Sequence, residues 1–139
     1  MKRYNNIFVK IVELDNILSA ISKAAKGKSG RNEVEKILDS PFYYAVKIKE
    51  MLVNKSFVPS KSHEFTIVDG ISRKVRKIKK PVFYPDQIIH WCIMNVLEPY
   101  FMKGMYDYSC ASIKNRGIYY GSKYLKKILV FDKKILNIV

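Results

Sequence analysis

Cysteine and long apolar runs are both scarce in this chain of 139 residues. The two cysteines, Cys92 and Cys110, stand far apart and lack the CxxC or paired-histidine spacing of zinc ligands. No stretch approaches the roughly 18 consecutive apolar residues of a membrane-spanning helix, and the amino terminus does not lead into the apolar segment of a signal peptide. We therefore expect no disulfide scaffold, no metal site and no membrane segment, and the reducing cytoplasm as the compartment.

Acidic residues are also few, because 12 Asp and Glu stand against 26 Lys and Arg, a formal charge of +14. Residues 1–69 hold 12 basic and 8 acidic side chains, a charge of +4, whereas residues 70–139 hold 14 and 4, a charge of +10. A concentrated positive surface attracts polyanions, of which nucleic acid is the first candidate and an anionic membrane surface or an acidic protein the second. The alternative is a solvated, lysine-rich surface without a partner.

Three amphipathic helices are predicted in the first part of the chain. Apolar residues recur at three- and four-residue steps from Ile7 to Ala25, and the short basic link 26–30 follows. Ser29 is the predicted cap of the second helix, and Pro41 suits the first turn of the third.

A basic β-hairpin is predicted after these helices. Phe65–Val68 and residues 72–80 have the character of two strands, joined by an Asp69-Gly70 turn. The second strand holds six cations in eight residues: Arg73, Lys74, Arg76, Lys77, Lys79 and Lys80. A strand so charged cannot be buried on both faces, so we expect an exposed cationic ribbon.

A further helix is predicted to open at Pro85-Asp86 and to end near Pro99, with another from about Tyr120. Asp86 is interpreted as a charge that complements the start of the helix rather than as a catalytic group. Trp91 is expected in the core rather than stacked on a base, and His90 on the helix surface. The fold class is therefore α+β, mostly helical with a basic antiparallel hairpin.

Three segments, taken in order, carry a resemblance to a known family. The first runs from Ser29 to Ile67, and the third is 108–117 with the helix after it. The second, Arg76 to Phe101, is the most specific, because a basic strand, a proline, an Asp-led helix and a Leu-Glu-Pro ending follow one another. Together they resemble the amino-terminal blocks of bacterial reverse transcriptases of the retron, group II intron and diversity-generating types. The third segment departs from the pattern, since Ala111 and Asn115 stand where glycine is usual and Lys114 where proline is frequent.

The resemblance implies that residues 28–131 form a fingers subdomain, preceded by an amino-terminal helix over residues 1–27. Such a subdomain binds RNA template and primer backbone and nucleotide phosphates for RNA-directed DNA synthesis. On the family pattern, Arg76 and Arg116 are candidates for contacting the template backbone or a nucleotide triphosphate, with surface solvation as the alternative for both. Phosphates also need cations on a rigid element, which makes the hairpin residues Arg73, Arg76 and Lys79 candidates on physical grounds.

The resemblance also implies what this chain lacks. Nucleotidyl transfer relies on two metal ions held by clustered carboxylates, which in this family belong to the palm that follows the fingers. The chain has no adjacent acidic pair. We therefore expect no catalytic residue, no metal ligand and no cofactor in it, with Mg²⁺ needed only by the complete enzyme, and no polymerase activity from the chain alone.

Residues 132–139 are interpreted as a truncated or aberrant tail. One base lost from a run of lysine codons, ahead of the family's Lys-Tyr-Cys-Leu-Lys strand, yields residues 133–139 and then a stop. The chain is then a truncation, a frameshift product or one part of a split enzyme whose partner is a palm-containing polypeptide.

The alternative function is a stand-alone, non-catalytic RNA- or DNA-binding module, and a helical interaction protein with incidental charge ranks third. Self-association through an exposed apolar patch is also expected.

Overall fold

The structure is a computed structural model that describes residues 4–70, 73–110 and 112–136, with side chains described as far as Val130. These residues form helices and one two-stranded antiparallel sheet, so the predicted α+β class is confirmed. They divide into two compact units, the first ending at Pro99 and the second beginning at Tyr100. No helix in the described part of the chain is long and apolar enough to cross a membrane.

Four helices open the first unit: α1 (Ile7–Ile11), α2 (Leu14–Ala25), α3 (Asn32–Asp39) and α4 (Pro41–Val53). The single helix predicted over 7–25 is wrong, because the backbone leaves the helical conformation at Val12 and is extended at Glu13. The predicted cap at Ser29 is also wrong, since α3 begins after Arg31 and has no side-chain cap. Pro41 lies in the first turn of α4 as predicted, where its missing N–H leaves no hydrogen bond unmade.

The hairpin consists of β1 (His63–Val68) and β2 (Val75–Lys80). Its register pairs Val68 with Val75, so the two-residue Asp-Gly turn is wrong and six residues connect the strands. Apolar pairs such as Phe65 with Ile78 therefore lie directly opposite each other, which stabilises this register.

The connection between the strands holds the first of the candidate cations. The N–H of Asp69 donates to the carbonyl of Lys74 at 3.0 Å, which extends the ladder by one pair. Arg73 has a left-handed φ of 47° and lies in the connection rather than on the strand. Ile71 and Ser72 lie outside the described residues.

A five-residue turn, Phe83–Gln87, leads from the hairpin into α5 (Ile88–Lys103). The N–H of Gln87 donates to the carbonyl of Val82 at 3.2 Å, and the Tyr84–Pro85 peptide bond is cis. Asp86 is buried in this turn, where its Oδ1 accepts the N–H of Ser60 at 3.1 Å. Asp86 therefore fixes the loop before β1 against the start of α5, which is a structural role.

The core of the first unit is small and mostly aliphatic. It is formed by the inner faces of α2, α3, α4 and α5 together with the turn, and its largest members are Ile17, Ile21, Val34, Ile37, Ile48, Phe83, Ile88, Ile89 and Cys92. Alanines at positions 20 and 24 of α2 and 45 of α4 have no exposed surface or almost none, which lets the helices approach closely. The residues of this core come from the helices and the turn, and none comes from the hairpin.

The second unit contains the end of α5, a loop and α6 (Ile118–Leu136). α6 continues through the predicted boundary after residue 131, and residues 137–139 lie outside the described part of the chain. The loop takes left-handed φ values of 59° at Ser112 and 65° at Asn115. Asn115 thus adopts a conformation that glycine favours and asparagine tolerates.

Candidate nucleic-acid interface

The hairpin presents cations on both of its faces, because side chains alternate along each strand. The face that holds the Phe65–Ile78 pair also holds Arg76 and Lys80. The opposite face holds the cross-strand pairs Glu64–Lys79 and Thr66–Lys77. All residues of the two strands are exposed except Ile78, which is half-buried, so the predicted exposed cationic ribbon is confirmed.

Two of the hairpin cations have carboxylate partners. Arg76 Nη2 lies 3.3 Å from Asp69 Oδ2, and Lys79 Nζ lies 3.0 Å from Glu64 Oε1. All four side chains are more than a third exposed. Exposed pairs of this kind contribute only about 0–1 kcal/mol, so a phosphate can replace the carboxylate at small cost. Across residues 63–80 the hairpin holds six cations against two acids, a net charge of +4.

The three candidate residues of the hairpin do not converge on one site. Arg76 and Lys79 point to opposite faces of the ribbon, and Arg73 lies in the connection. Arg116 belongs to the second unit. The three hairpin residues fit a surface that contacts phosphates along its length rather than a single pocket, and their role in binding stays a prediction.

A groove of about 570 Å³ opens between the hairpin and α5 in the first unit. Its helical side is formed by Gln87 of the turn and by residues that share one side of α5: His90, Trp91, Met94 and Glu98. The hairpin contributes Phe65, Ile78, Lys79 and Lys80, and the segment between α2 and α3 contributes Lys28 and Arg31. The groove thus combines an apolar, aromatic wall with a cationic end.

Trp91 is 39% exposed, so the prediction that it belongs to the core is wrong. Its neighbours Ile89 and Cys92 face the core instead, and His90 is exposed as predicted. Lys23 Nζ lies 5.9 Å from the centroid of the indole ring, within the range of a cation–π contact. The indole therefore forms part of a surface rather than of the packed interior.

Asparagine side chains fix α5, and with it Trp91, against α2. Lys23 Nζ donates to Asn95 Oδ1 at 2.7 Å, and Asn95 Nδ2 donates to Asn16 Oδ1 at 3.1 Å. Asn16 Nδ2 in turn donates to the carbonyl of Cys92 at 3.0 Å. This chain of contacts ends one residue from Trp91, so the indole stands on a rigid element.

Lys28, Arg31 and Lys80 form a cluster of cations at the groove, here called the tri-cation cluster. Partial burial, followed by the charges of Arg31 and Lys80, lowers the pKa of Lys28 below its ordinary value. Lys28 Nζ donates to the carbonyl of Ala24 at 2.7 Å and to Gln87 Oε1, which are neutral acceptors. Neither ion pair of the described residues includes a member of the cluster. Three like charges that form no salt bridge among the described residues favour an anion at this part of the groove, which Glu98 also lines.

Arg116 has a structural role within the second unit. Its Nη1 donates to the carbonyls of Tyr106 at 3.3 Å and Asp107 at 3.2 Å, and its guanidinium lies 5.3 Å from the ring centroid of Tyr120. The hydroxyl of Tyr120 also donates to the carbonyl of Asp107, at 3.1 Å. Tyr124 completes the contact between the loop and α6, since its ring packs 4.7 Å from that of Tyr120. Arg116 thus fixes the loop onto the helix, and whether it also contacts nucleic acid stays a prediction.

The sequence does not single out Lys28 or Arg31, and it offers Trp91 as a stacking residue only as the alternative to a core position. The spacing of positions 90, 91, 94 and 98 on one side of α5 is a signal for a second, non-core face of that helix. Nothing local to Lys28 or Arg31 indicated that the chain brings them next to Lys80.

No three His, Cys, Asp or Glu side chains in the described part of the chain are grouped so that they could hold a metal ion. No model of a protein family matches the chain, and the search of curated proteins finds no relative.

Proposed function

We propose that the chain binds nucleic acid through its phosphate backbone, as the fingers part of a reverse transcriptase. The observation that carries the proposal is the hairpin, an exposed ribbon with six cations against two acids. The antiparallel ladder presents four of these charges, Arg76, Lys77, Lys79 and Lys80, at fixed spacing, so less conformational entropy is lost on binding than with a flexible basic tail. The role is to grip RNA template and primer backbone, and nucleotide phosphates, during RNA-directed DNA synthesis.

The assignment to reverse transcriptases is supported by the most specific of the resembling segments. Within residues 76–101, β2 is followed by the turn Phe83–Gln87 and then by α5. The turn follows Pro81, which lies directly after the last cation of β2. The resemblance implies a basic strand, a proline and then a helix, although α5 begins two residues after Asp86 and continues through Pro99 to Lys103.

The proposal gives this chain a binding role and no chemical step. The Mg²⁺ used in the resembled family needs clustered carboxylates, and the described residues offer no such group. A palm-containing polypeptide is therefore the proposed partner that supplies the catalytic carboxylates.

A binding assay with charge-matched variants tests the proposal. The hairpin variant replaces Arg73, Arg76 and Lys79 with alanine, and the control variant replaces three exposed lysines elsewhere in the first unit: Lys10, Lys36 and Lys55. Both variants lose the same charge. We expect the hairpin variant to bind labelled single-stranded RNA roughly 10- to 100-fold more weakly at about 0.1 M salt, since each lost phosphate contact removes released counterions. Equal affinities of the two variants, measured by fluorescence anisotropy, overturn the proposal.

A stand-alone, non-catalytic binding module is the second candidate. The observation that favours it is the first unit's own buried core, which α2, α3, α4, α5 and the turn before α5 form within this chain. Mixing the chain with a palm-containing polypeptide and a primer–template separates the two candidates. Restored primer extension supports the fingers role. If the chain still binds the primer–template but a folded palm-containing polypeptide does not extend the primer, the stand-alone module is supported.

A further inference from the structure

The groove between the hairpin and α5 has two properties that belong to one kind of ligand. Its wall is apolar and aromatic, formed by Trp91, Met94, Phe65 and Ile78, while the tri-cation cluster lies at the same groove. A ligand that suits both must have a flat apolar face and a covalently attached anion. A nucleobase with its phosphate meets this description, because every base has a π-face and every nucleotide a negative charge.

We infer that this groove binds an unpaired nucleotide of a single strand, with the base against Trp91 and its phosphate at Lys28, Arg31 and Lys80. The inference rests on the proposed function and adds the substrate class, single-stranded rather than paired nucleic acid. The groove would then hold the base and its own phosphate, and the cations along the hairpin would hold neighbouring phosphates of the strand.

The size of the groove supports an inserted base. Its volume of about 570 Å³ lies within the range of about 300–1,000 Å³ that is usual for pockets that bind small molecules. A base inside a duplex is stacked on both sides and cannot enter such a space without leaving its partner. The groove therefore selects against paired nucleic acid, while the exposed ribbon does not.

The position of the cations supports a strand rather than a free nucleotide. Arg76 and Lys80 lie on the same face of the hairpin as Phe65 and Ile78, which form part of the groove wall. Positive charge therefore continues from the tri-cation cluster along this face. A strand with one base in the groove can place its neighbouring phosphates along this face.

The fluorescence of Trp91 reports directly on binding in the groove, because Trp91 is the only tryptophan of the chain. Stacking with a base quenches indole emission, so Trp91 fluorescence reports on the groove alone. The full chain is titrated with three probes: a single-stranded oligonucleotide, the same strand made of abasic sites, and a blunt duplex. Anisotropy of an end label on each probe measures binding independently of the groove.

We expect the intact single strand to quench Trp91 and the other two probes to leave its emission unchanged. We also expect the intact strand to bind about 5- to 150-fold more tightly than the abasic strand, the range that corresponds to stacking on one aromatic side chain. Equal affinity for the intact and abasic strands, without quenching, overturns the inference. Saturation by a mononucleotide at the same concentration as by the strand overturns it as well, because the site then binds free nucleotides.

Two variants test whether the preference for the intact strand over the abasic strand depends on Trp91. Trp91→Ala should remove the preference for the intact strand over the abasic strand, and Trp91→Phe should keep part of it. Phe42→Ala is the matched control, since Phe42 is an exposed aromatic residue of α4 outside the groove. An unchanged preference in Trp91→Ala, with circular dichroism showing a folded chain, contradicts the inference.

The two proposals fail in different ways. If the groove proposal fails alone, all three probes still bind with the salt dependence and the hairpin-variant loss described above. If the hairpin proposal fails alone, Trp91 quenching persists in the hairpin variant at unchanged affinity. Absence of binding to every probe overturns both.

Discussion

At the scale of single residues, the two cysteines lie in contrasting environments. Cys92 has no exposed surface and lies in the core, and burial raises the pKa of its thiol to about 12. Cys110 is half-buried in the second unit, where its thiol donates to the carbonyl of Tyr108 at 3.0 Å. Since the thiolate is the reactive form, Cys92 is protected both by exclusion of the reagent and by its protonation.

We expect iodoacetamide near pH 8.5 to alkylate Cys110 in the folded chain and to leave Cys92 intact until denaturant is added. The raised pKa of Cys92 also makes the free energy of unfolding depend on pH. Above the ordinary thiol pKa the unfolded state loses the Cys92 proton while the folded state keeps it, so the free energy of unfolding falls as pH rises. Mass spectrometry of tryptic peptides measures the alkylation of each cysteine by iodoacetamide. Equal labelling of both cysteines under native conditions contradicts the position of Cys92 in the core.

Arg116 allows a second test at this scale. Arg116→Ala removes the bonds to the carbonyls of Tyr106 and Asp107, so we expect it to destabilise the contact between loop and α6 by about 1 kcal/mol. Arg116→Lys keeps the charge without the planar fork and should lose most of the same stability. Hydrogen exchange of the amides at the start of α6 measures the change. Unchanged exchange in both variants, with weaker binding of RNA, shows instead that Arg116 contacts nucleic acid.

Single residues show where sequence reasoning succeeds and where it stops. The exposure of His90 follows from a polar side chain in an amphipathic helix. Trp91 was placed wrongly because α5 is apolar on more than one side, so hydrophobic periodicity does not identify which apolar residue faces the core. The burial of Asp86 depends on the N–H of Ser60, 26 positions earlier in the chain, a contact that local pattern does not reveal.

At the scale of elements, the hairpin combines an excess of cations with two carboxylates that occupy some of them. Glu64 is directly opposite Lys79, and Asp69 lies beside Arg76. These acids reduce the positive field of the ribbon, although exposed ion pairs add little to stability. Removing them should therefore strengthen binding at little cost to the fold.

We expect Glu64→Gln and Asp69→Asn each to raise the affinity for single-stranded RNA, because each frees one cation for a phosphate. The free energy of unfolding should change by less than about 1 kcal/mol in either variant. Glu50→Gln provides a control that changes the net charge equally on α4, away from the ribbon. Anisotropy and urea denaturation measure the two quantities. Equal gains in Glu64→Gln and Glu50→Gln contradict a local role for the hairpin.

Element boundaries also show what sequence can predict. The two strands and the start of α4 at Pro41 were predicted, since both depend on local signals. The two-residue turn was wrong because register is set by pairs on the strands, such as Phe65 with Ile78, and not only by the Asp-Gly preference. The break between α1 and α2 was missed because Asn16 Nδ2 donates both to the carbonyl of Ile11 and to that of Cys92, a residue far along the chain.

At the scale of the whole molecule, the second unit differs from the first in how little apolar surface it buries. None of the core residues of the described chain lies beyond Cys92, and tyrosine rings pack the loop onto α6 instead. Apolar side chains of α6 remain exposed: Ile118, Leu125, Ile128, Leu129 and Val130. Such a patch favours association with another protein surface.

We therefore expect reversible self-association that grows with concentration and weakens in Leu129→Lys. Val58→Lys is the control, because Val58 is an isolated exposed residue of the first unit. Sedimentation velocity over a range of concentrations measures the effect. A chain that stays monomeric throughout, or equal behaviour of the two variants, contradicts the expectation.

The central claim is that the hairpin binds phosphates, and the salt dependence of binding tests it most directly. The logarithm of the dissociation constant for single-stranded RNA is measured against the logarithm of salt concentration, for the chain and for the variant lacking Arg73, Arg76 and Lys79. We predict that the slope of the variant is smaller by roughly 2, since each contact with a single strand contributes about 0.7. The variant lacking Lys10, Lys36 and Lys55 should keep the original slope. Parallel lines for the chain and the hairpin variant contradict the claim.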